Sequence, residues 1–399
     1  MQVRCCIVGG GPAGLVLGFL LARAGVEVAV LEKHADFLRD FRGDTIHPST
    51  LEVLNEIGLL DRFLQRPHDE TTAINVQVGD AIVAVADFSH LPTTCKFLAF
   101  MPQWDFLDFF AEEAKRYPGF RLKMEAEVTE LLEEGGRING VRAKTPSGPL
   151  DVRSDLVIGA DGRSSTVREQ AGLEKINLGA PMDALWLRLS KHASDPPQTF
   201  GRIGPGRILV MIDRGEYWQC AFVIRKGGFE QIRQRGLSAF RDEIATLIPF
   251  ARDRVGELAD WDHVRLLTVT VDRLRHWSRP GLLCIGDAAH AMSPIGGVGI
   301  NLAVQDAVAA ANILSLPLLR RSVTSRHLAA VQRRRTLPTR LTQGLQVLVQ
   351  NRVISRVLRS RGPQTLPWPL KLLRRWPFLR RIPARIIGLG FRPEHVRTG

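Results

Sequence analysis

The chain has 399 residues, of which 45% are hydrophobic and 24% charged, so it is long enough for two or three globular domains. Its formal net charge of +13 lies in the C-terminal part, because residues 318–399 carry nineteen Arg and Lys against one acid, whereas the remainder carries 35 bases and 40 acids. A mildly acidic body and a basic segment without a nucleic-acid-binding motif argue against a nucleic-acid-binding protein.

Five cysteines without CxxC spacing argue against a disulfide framework or a zinc cluster, so we predict no metal and a reducing compartment. No cleavable signal precedes the first predicted strand, and no uninterrupted apolar run of about 18 residues predicts a membrane span. These features predict a cytoplasmic protein.

Residues 3–34 have the pattern of one βαβ unit with a dinucleotide fingerprint. Gly9 permits a tight turn, Gly11 lets backbone approach a pyrophosphate, and Gly14 lets the helix pack closely on the strand. The second apolar run ends at Glu32, where a carboxylate can accept hydrogen bonds from a ribose. The alternative, a glycine-rich hairpin, leaves Glu32 unexplained.

The following segments predict an α/β protein with a second, mostly antiparallel domain. Residues 36–64 suggest a loop and an amphipathic helix, and Arg42 in that loop is either a diphosphate ligand or a solvated surface residue. Residues 176–272 are β-rich with one helical insertion. The predicted segments are a nucleotide-binding domain at 1–70, 98–175 and 273–317, a substrate domain at 71–97 and 176–272, and a basic helical tail at 318–399.

The nucleotide domain resumes at residues 281–315 with a strand, an acidic turn, a glycine-rich loop and an alanine-rich helix. Asp287 closes the strand, and the loop 293–299 delivers Ile300 and Asn301 to the start of the helix. The partial positive charge of a helix N-terminus would stabilise an anion placed there.

Three motifs occur in an order that resembles the single-component FAD-dependent aromatic hydroxylases of the para-hydroxybenzoate hydroxylase type. They are GGGPAG at residues 9–14, GADGRSSTVR at 159–168 and GDAAHAMSPIGGVGINLAVQDA at 286–307. The resemblance implies a Rossmann-like FAD-binding domain with an inserted antiparallel substrate domain and a C-terminal helical tail. It also implies NAD(P)H as co-substrate and O2 as oxidant, with a flavin C4a-hydroperoxide hydroxylating an aromatic or lipophilic small molecule.

The resemblance assigns roles to individual positions. The diphosphate would be lined by the first motif and Arg42, the ribose by Glu32 and Lys33, adenine by Val128, the ribityl chain by Gln103 and Asp287, and the isoalloxazine ring by the loop from Pro294 to the start of the helix. The cofactor-binding residues implied in this way are Gly9, Gly11, Ala13, Gly14, Glu32, Lys33, Arg42, Gln103, Val128, Asp161, Asp287, Pro294, Gly297, Gly299, Ile300 and Asn301.

The substrate site is less determined by sequence. Only Tyr117 and Tyr217 are present, which disfavours a tyrosine pair that activates a phenol. His47 is then the base candidate and Pro294 the second catalytic candidate, while the alternative for His47 is a loop histidine bonded to backbone. Candidate substrate contacts on the second sheet, for which strand parity leaves both faces open, are Trp186, Arg188, Met211, Trp218 and Cys220.

The tail mixes apolar anchors with cations, as in the stretch LPWPLKLLRRWPFLRRIPARIIGLGF at residues 366–391. Such a pattern is typical of a helix lying in the plane of a membrane, and peripheral contact with the inner face of the membrane is one of two interpretations. The competing hypothesis is that these helices pack on the FAD domain.

Two competing hypotheses concern the function of the whole chain. A flavin-dependent reductase of a lipid-like substrate would use the same FAD fold, and so would a non-catalytic protein that binds FAD or a metabolite.

Overall fold

Two sheets organise the chain, one with a parallel centre and one mostly antiparallel. The computed structural model describes residues 1–38, 45–79, 81–196, 199–360, 362 and 366–398. Arg42 therefore lies outside the described residues. Within them the strands are β1 (Gln2–Val8), β2 (Val28–Leu31), β3 (Thr45–Ile46), β4 (Asp69–Thr71), β5 (Ala73–Val78), β6 (Ala81–Asp87), β7 (Leu98–Phe100), β8 (Phe120–Lys123), β9 (Glu127–Glu134), β10 (Arg137–Thr145), β11 (Gly148–Gly159), β12 (Lys175–Asn177), β13 (Met182–Ser190), β14 (Phe200–Gly204), β15 (Arg207–Asp213), β16 (Tyr217–Arg225), β17 (Arg265–Leu267), β18 (Asp272–Leu274), β19 (Ser278–Arg279) and β20 (Leu282–Cys284).

The helices alternate with these strands in the first part of the chain and follow one another in the last part. They are α1 (Pro12–Arg23), α2 (Pro48–Glu56), α3 (Leu60–Phe63), α4 (Gln103–Ala114), α5 (Thr166–Gln170), α6 (Phe229–Arg235), α7 (Leu237–Leu247), α8 (Gly299–Leu319), α9 (Ser325–Val349), α10 (Ser355–Arg359), α11 (Trp368–Arg375) and α12 (Arg381–Gly388). A π-helical turn (Gln350–Ile354) joins α9 to α10, and 3-10 turns (Phe88–His90, Pro249–Glu257, Gly286–Ala288, Ile295–Gly297 and Pro377–Arg380) join other elements.

The first sheet has the strand order β19-β20-β11-β1-β2-β8, with β10 and β9 added beside β11. Strands β20, β11, β1, β2 and β8 run parallel. Strand β2, between β1 and β8, consists only of apolar residues and is buried throughout, as expected for a parallel strand covered on both faces. Helices α1 and α8 pack against each other and α8 also contacts β1, which brings the first and third motifs together.

The second sheet has the order β17-β13-β16-β15-β14-β5-β6 and is antiparallel except between β14 and β5. Alternate side chains of its strands form a core with α6 and α7, among them Leu187, Leu209, Phe222, Phe240 and Ile244. The side chains between them point to the other face of the sheet, toward the first domain and the tail. The predicted fold class is thus confirmed, including the mostly antiparallel sheet that interrupts the nucleotide domain.

The tail contacts both domains. Helix α9 packs on α8, while α11 and α12 contact β6 of the second sheet. The chain then returns to α8, where the Glu394 amide donates to the Gln305 side chain, and Glu394 pairs with Arg334 and Arg335 of α9. Both sheets draw on separate stretches of sequence, and the domain boundaries stay a prediction.

Residues Ile295–Leu319 are, among the described residues, long and apolar enough to cross a membrane by length and composition. The most apolar window has a mean hydropathy of 1.6, but 72% of it is buried inside the protein. Since α8 packs on α1 and α9, it is a core helix of the fold. Its apolar sequence is interrupted by Asn301, Gln305 and Asp306, which is why no uninterrupted run marks it in the sequence.

A buried ion pair between Arg254 and Asp195 stabilises the core of the second domain. Arg254 donates two hydrogen bonds to Asp195, of 2.6 and 2.8 Å, and the Trp218 indole donates a third of 2.8 Å. Burial alone would raise the pKa of Asp195, but Arg254, Trp218 and the His192 amide outweigh burial and lower that pKa to about 2.

The substitution Asp195→Asn should destabilise the protein at pH 7, because Arg254 stays buried without a charge partner, a loss of about 3–5 kcal/mol in comparable pairs. The folded-state pKa of about 2 lies below the ordinary value. The carboxylate's contribution is therefore complete above about pH 5 and is lost as the pH falls toward the folded-state pKa. Urea unfolding at pH 7 should give a lower free energy of unfolding for the variant than for the parent protein. At pH 3 the difference between the two free energies should be smaller.

Asp151→Asn is the matched control, since Asp151 pairs with Arg142 on the surface, with 44% of each side chain exposed. Exposed pairs contribute about 1 kcal/mol or less. Equal free energies of unfolding for Asp195→Asn and the parent protein at pH 7 would contradict the stabilising role of the buried pair.

Candidate active site

The three motifs meet at one edge of the first sheet. Val8, Gly159 and Cys284 lie side by side in register at or near the carboxyl ends of β1, β11 and β20. The turns that follow them contain Gly9, Asp161 and Asp287. In parallel sheets, ligands bind in the crevice outside the carboxyl ends of the strands.

The first turn can be made only with glycine at two positions. Gly9 has φ +105°, and a Cβ there would lie 2.4 Å from the Ala160 carbonyl oxygen. A Cβ on Gly14 would lie 2.0 Å from the Gly9 carbonyl oxygen. Both glycines therefore serve the close packing of α1 against β1 and β11.

Gly11 differs from these two, because a Cβ there would meet no described atom within 4 Å. Its backbone is thus open to a ligand at the N-terminus of α1, which among the described residues has no side-chain cap. Ala13 in the first turn of α1 lies against Gly286, whose Cβ would stand 3.0 Å from that of Ala13. The first and third motifs hence face the same space.

Glu32 lies at the end of β2 beside this turn and is almost fully buried. Its carboxylate oxygens accept the backbone N–H groups of Gly10, at 2.8 Å, and His34, at 3.1 Å. A carboxylate oxygen can accept more than one hydrogen bond, so ribose hydroxyls can bind to the same group. Lys33, the next residue, is exposed.

The second motif is tied to the third by two arginines. Arg168 is buried and donates to the carbonyl oxygens of Ala288, at 3.2 Å, and Arg163, at 2.6 Å. Arg163 donates through Nε to Asp287 at 3.1 Å. Asp161 accepts from the Ser165 hydroxyl and the Val167 amide, and burial raises its pKa despite these bonds. The sequence contained both arginines, but nothing in it indicated their partners.

The loop before α8 begins at Pro294 and continues through a 3-10 turn. Gly297 has φ +63°, and a Cβ there would lie 2.9 Å from the Thr45 hydroxyl. Gly299 begins α8, and among the described residues no side chain caps this helix. Ile300 is buried behind the helix start. No described side chain therefore competes with an anionic group for the backbone amides at the start of α8.

The side chain of Asn301 has a structural role. Its Oδ1 accepts from the hydroxyls of Ser49, at 2.7 Å, and Thr50, at 3.0 Å. These bonds fix the start of α2 against the start of α8. A flavin would therefore contact Asn301 through its position in the first turn of α8, because the side-chain oxygen already binds Ser49 and Thr50.

The prediction of His47 as a catalytic base is not supported by its geometry. The ring is buried, with Nε2 at 3.0 Å from the Gly297 carbonyl oxygen and Nδ1 at 2.8 Å from that of Ile387. Burial lowers its pKa, partly offset by these two carbonyls. The neutral ring carries one N–H and can donate to only one of these two carbonyl oxygens at a time. His47 therefore packs between the flavin loop and α12, and neither nitrogen is directed to a substrate.

Three glutamines of α9 and the turn after it hold the other side of this loop. Gln346 accepts from the Ser293 N–H, at 3.1 Å, and donates to the carbonyl oxygens of Ser293, at 3.0 Å, and Ile295, at 2.9 Å. Gln350 donates to the Ser293 hydroxyl at 2.6 Å, and Gln343 donates to the Ala291 carbonyl oxygen at 3.1 Å. The sequence did not predict this support. The three glutamines are spaced by three and four residues, which places them on one helix face but does not indicate which groups they bind.

A buried carboxylate, Asp306, connects α8 to the third motif and the tail. It accepts from the Gly286 amide at 3.0 Å, from His290 Nε2 at 2.6 Å and from Arg335 Nε at 2.9 Å. Burial opposes its ionisation, but His290 and Arg335 outweigh burial and keep the pKa of Asp306 below its ordinary value. Arg335 also contacts Glu394 at 3.4 Å.

The remaining cofactor candidates lie on the first domain. Gln103 begins α4, and Val128 is buried in β9, where it pairs with Ala143. The fit to a dinucleotide rests on three observations: the open backbone at Gly11, the buried acid Glu32 and the uncapped start of α8. These groups would hold the diphosphate, the ribose and the electron-rich edge of a flavin, respectively.

The candidate substrate contacts divide between the two faces of the second sheet. Trp186 lies on the face toward the first domain and packs against the cluster that contains Ile212 and Phe100. Arg188 shares that face but is exposed, with its guanidinium 3.8 Å from the Tyr217 ring centre. The predictions for Met211, Trp218 and Cys220 as substrate contacts are corrected by the structure. Side chains alternate along each strand, and these three lie on the opposite face of the sheet, in the core formed with α6 and α7.

Gly11→Ala should fold normally but bind FAD at least about tenfold more weakly, because the methyl group meets no atom of the described residues and lies where a diphosphate would approach. Gly256→Ala is the matched control, since its Cβ also meets no described atom within 4 Å and it lies in the second domain. Flavin fluorescence titration of apoprotein measures both. Unchanged FAD affinity in Gly11→Ala would contradict the placement of the diphosphate.

Gln346→Leu should lower both the melting temperature and the FAD affinity, because the polar groups of Ser293 and Ile295 lose their partners and the loop loses its support. Gln332→Leu on the same helix is the control. Gln332 bonds the Trp277 amide at 3.0 Å and the Arg275 carbonyl oxygen at 2.9 Å, away from the loop. Both variants should melt earlier, but only Gln346→Leu should shift the flavin absorption spectrum; a shift in both would contradict a specific role for Gln346.

Comparison with known proteins agrees with this geometry. The family model described as "FAD binding domain" matches residues 2–344. The chain is 35% identical over 353 residues to the 6-methylpretetramide 4-monooxygenase of Streptomyces rimosus, covering 88% of this chain and 84% of that protein. It is 28% identical to the rifampicin monooxygenase of Streptomyces venezuelae, over 75% of this chain and 61% of the relative.

Solved structures show the same fold at low sequence identity. The p-nitrophenol 4-monooxygenase PnpA of Pseudomonas putida DLL-E4 aligns with a TM-score of 0.75 and 19% identity over 97% of this chain and 94% of that one. The matched family, the extent of the match and the convergence of the three motifs support one conclusion. The chain belongs to the FAD binding domain family and is an FAD-dependent monooxygenase of the para-hydroxybenzoate hydroxylase type.

Proposed function

We propose that this enzyme uses NAD(P)H and O2 to hydroxylate an electron-rich, polycyclic aromatic small molecule. The observation that carries the substrate class is the 35% identity, over most of both chains, to a monooxygenase that is named for 6-methylpretetramide. The structure supports an aromatic substrate through the composition of the sheet face that is turned toward the flavin loop.

We place the substrate against one row of that face. Trp186 pairs with Ala221, and Ala221 pairs with Val210 on the next strand. Trp186 and Val210 are partly exposed, whereas Ala221 is buried. An indole and two aliphatic side chains form an apolar floor on which a flat ring system can stack.

Two hydrophobic clusters border this row. On one side Ile212 packs with Phe88, which follows β6, and with Ala384 and Leu389 of the tail. On the other side Ile208 and Val223 pack with Val357 and Leu358, and the flavin-loop residue Ile295 lies against them. Such borders limit the access of water to the reacting centre.

When bound, FAD supplies the redox chemistry, taking two electrons from NAD(P)H and activating O2 for transfer of one oxygen atom to the ring. The protein contributes position and charge. The amides at the start of α8 would stabilise negative charge on the reduced ring by about 1 kcal/mol. Gln346 from one side and His47 from the other keep the loop before this helix in place.

The function is tested by substrate-dependent turnover of the purified holoenzyme. NADH or NADPH oxidation, O2 uptake and product mass are measured with 6-methylpretetramide, simpler phenols and polyprenyl phenols, using 18O2. Incorporation of one 18O atom into a polycyclic aromatic product supports the proposal. Turnover without O2 would instead identify a reductase, and hydroxylation of only monocyclic phenols would contradict the substrate class.

Trp186→Ala should raise the KM for the aromatic substrate about tenfold or more while FAD stays bound, because the floor loses its indole. Met211→Leu is the control, since Met211 is buried on the far face of the same sheet. Its KM should stay within about twofold of the parent value. A KM that rises equally in both variants would contradict the assignment of the substrate to this face.

A further inference from the structure

Helices α11 and α12 leave an apolar and cationic surface on the outside of the protein. Four large apolar side chains on it are well exposed, namely Trp368 at 75%, Trp376 at 48%, Phe378 at 61% and Ile382 at 59%. Five exposed cations are interleaved with them: Lys371, Arg374, Arg375, Arg381 and Arg385. We call these nine residues the tail surface.

The geometry of α12 explains why its apolar residues point in two directions. Ala384 and Gly388 are one turn apart and buried; a Cβ on Gly388 would lie 2.7 Å from Leu91. Ile382 is two residues before Ala384, which is about 200° around the helix axis. Small residues thus dock the helix inward, while Ile382 is held on the outer side.

The inward side is fixed by polar bonds as well. The Ile387 carbonyl oxygen faces His47 at 2.8 Å, and the Gly388 carbonyl oxygen accepts from the Ser49 hydroxyl at 3.0 Å. Because α12 is anchored in this way, the outward position of Ile382 belongs to the folded state. Incomplete packing of a loose helix therefore does not explain why the outer apolar side chain is exposed.

We propose that the tail surface docks on an anionic lipid bilayer. The charge on it is complementary to such a bilayer, since residues 366–391 contain cations and no acid. Tryptophans at separate points along the segment, with cations between the apolar anchors, are the arrangement of an in-plane membrane helix.

Another exposed apolar stripe lies on α9, with Leu337 at 53%, Leu341 at 43% and Leu348 at 53% exposure. Between residues 336 and 351 this stripe has a single cation, Arg340, and no tryptophan. Charge complementarity therefore distinguishes the tail surface from the α9 stripe. Docking through the tail surface would bring Phe88, which packs on the inner side of α12, within about one helix diameter of lipid.

Flotation of the full-length holoenzyme with vesicles tests the proposal. Vesicles of phosphatidylglycerol and phosphatidylcholine should carry the protein upward at about 0.05 M NaCl and carry much less at about 0.5 M, because salt screens the cations. Vesicles of phosphatidylcholine alone should carry at least about tenfold less. Protein that stays at the bottom with the anionic vesicles, or floats equally with both kinds, overturns the proposal.

The triple variant Trp376→Ser, Phe378→Ser and Ile382→Ser should reduce binding to anionic vesicles about tenfold or more. The matched control is Leu337→Ser, Leu341→Ser and Leu348→Ser, which should float as the parent protein does. Loss of binding in the control alone would overturn the assignment to the tail surface. Loss of a dimer in the tail variant, seen by light scattering, would show an interface between copies instead.

Flotation needs no turnover, so it can fail while the proposed hydroxylation holds, and the reverse is also true. Flavin absorption of both triple variants verifies that they retain the fold. With a water-soluble aromatic substrate, the tail variant should keep the parent kcat and KM, because its three side chains point away from the substrate row.

Discussion

The buried carboxylate of Asp306 is the constraint on which the active site depends. A carboxylate inside a protein is tolerated when its charge is compensated, and Asp306 obtains this compensation from Arg335, His290 and the Gly286 amide. Gly286 belongs to the turn that carries Asp287, whereas Arg335 belongs to α9. Asp306 therefore links the turn of the third motif to α9, so the tail helix supports the flavin site.

The flavin loop is held from two sides by parts of the chain that are far apart in sequence. Gln346 binds its beginning, and His47 links its Gly297 to α12. Both contacts use backbone carbonyl groups of the loop and leave the amides at the start of α8 to the cofactor. Fixed donors that need no rearrangement during the reaction are what stabilises developing charge most effectively.

The second sheet separates two tasks by the alternation of its side chains. Leu187, Met211 and Trp218 secure the sheet on α6 and α7, while Trp186 and Val210 face the flavin loop. The tail closes both ends of that row, through Leu389 on one side and Leu358 on the other. A shift of one residue in strand register would exchange these two sets, so the same packing that stabilises the domain also selects the substrate surface.

The sequence by itself determined the nucleotide unit, the order of the three motifs and the fold class, because glycine positions at strand ends and apolar periodicity are local signals. Gly9, Gly14, Glu32 and Asp287 could be placed from their spacing alone. Only the tertiary structure decided the face of Met211, Trp218 and Cys220, since both faces of the sheet carry large apolar side chains. It also decided that His47 is a link between backbone carbonyls and that Gln346 and Arg335 serve the site. Their partners lie between 29 and 340 residues away, as with Arg335 and Asp306 or His47 and Ile387, and contacts at such separations leave no pattern in a single sequence.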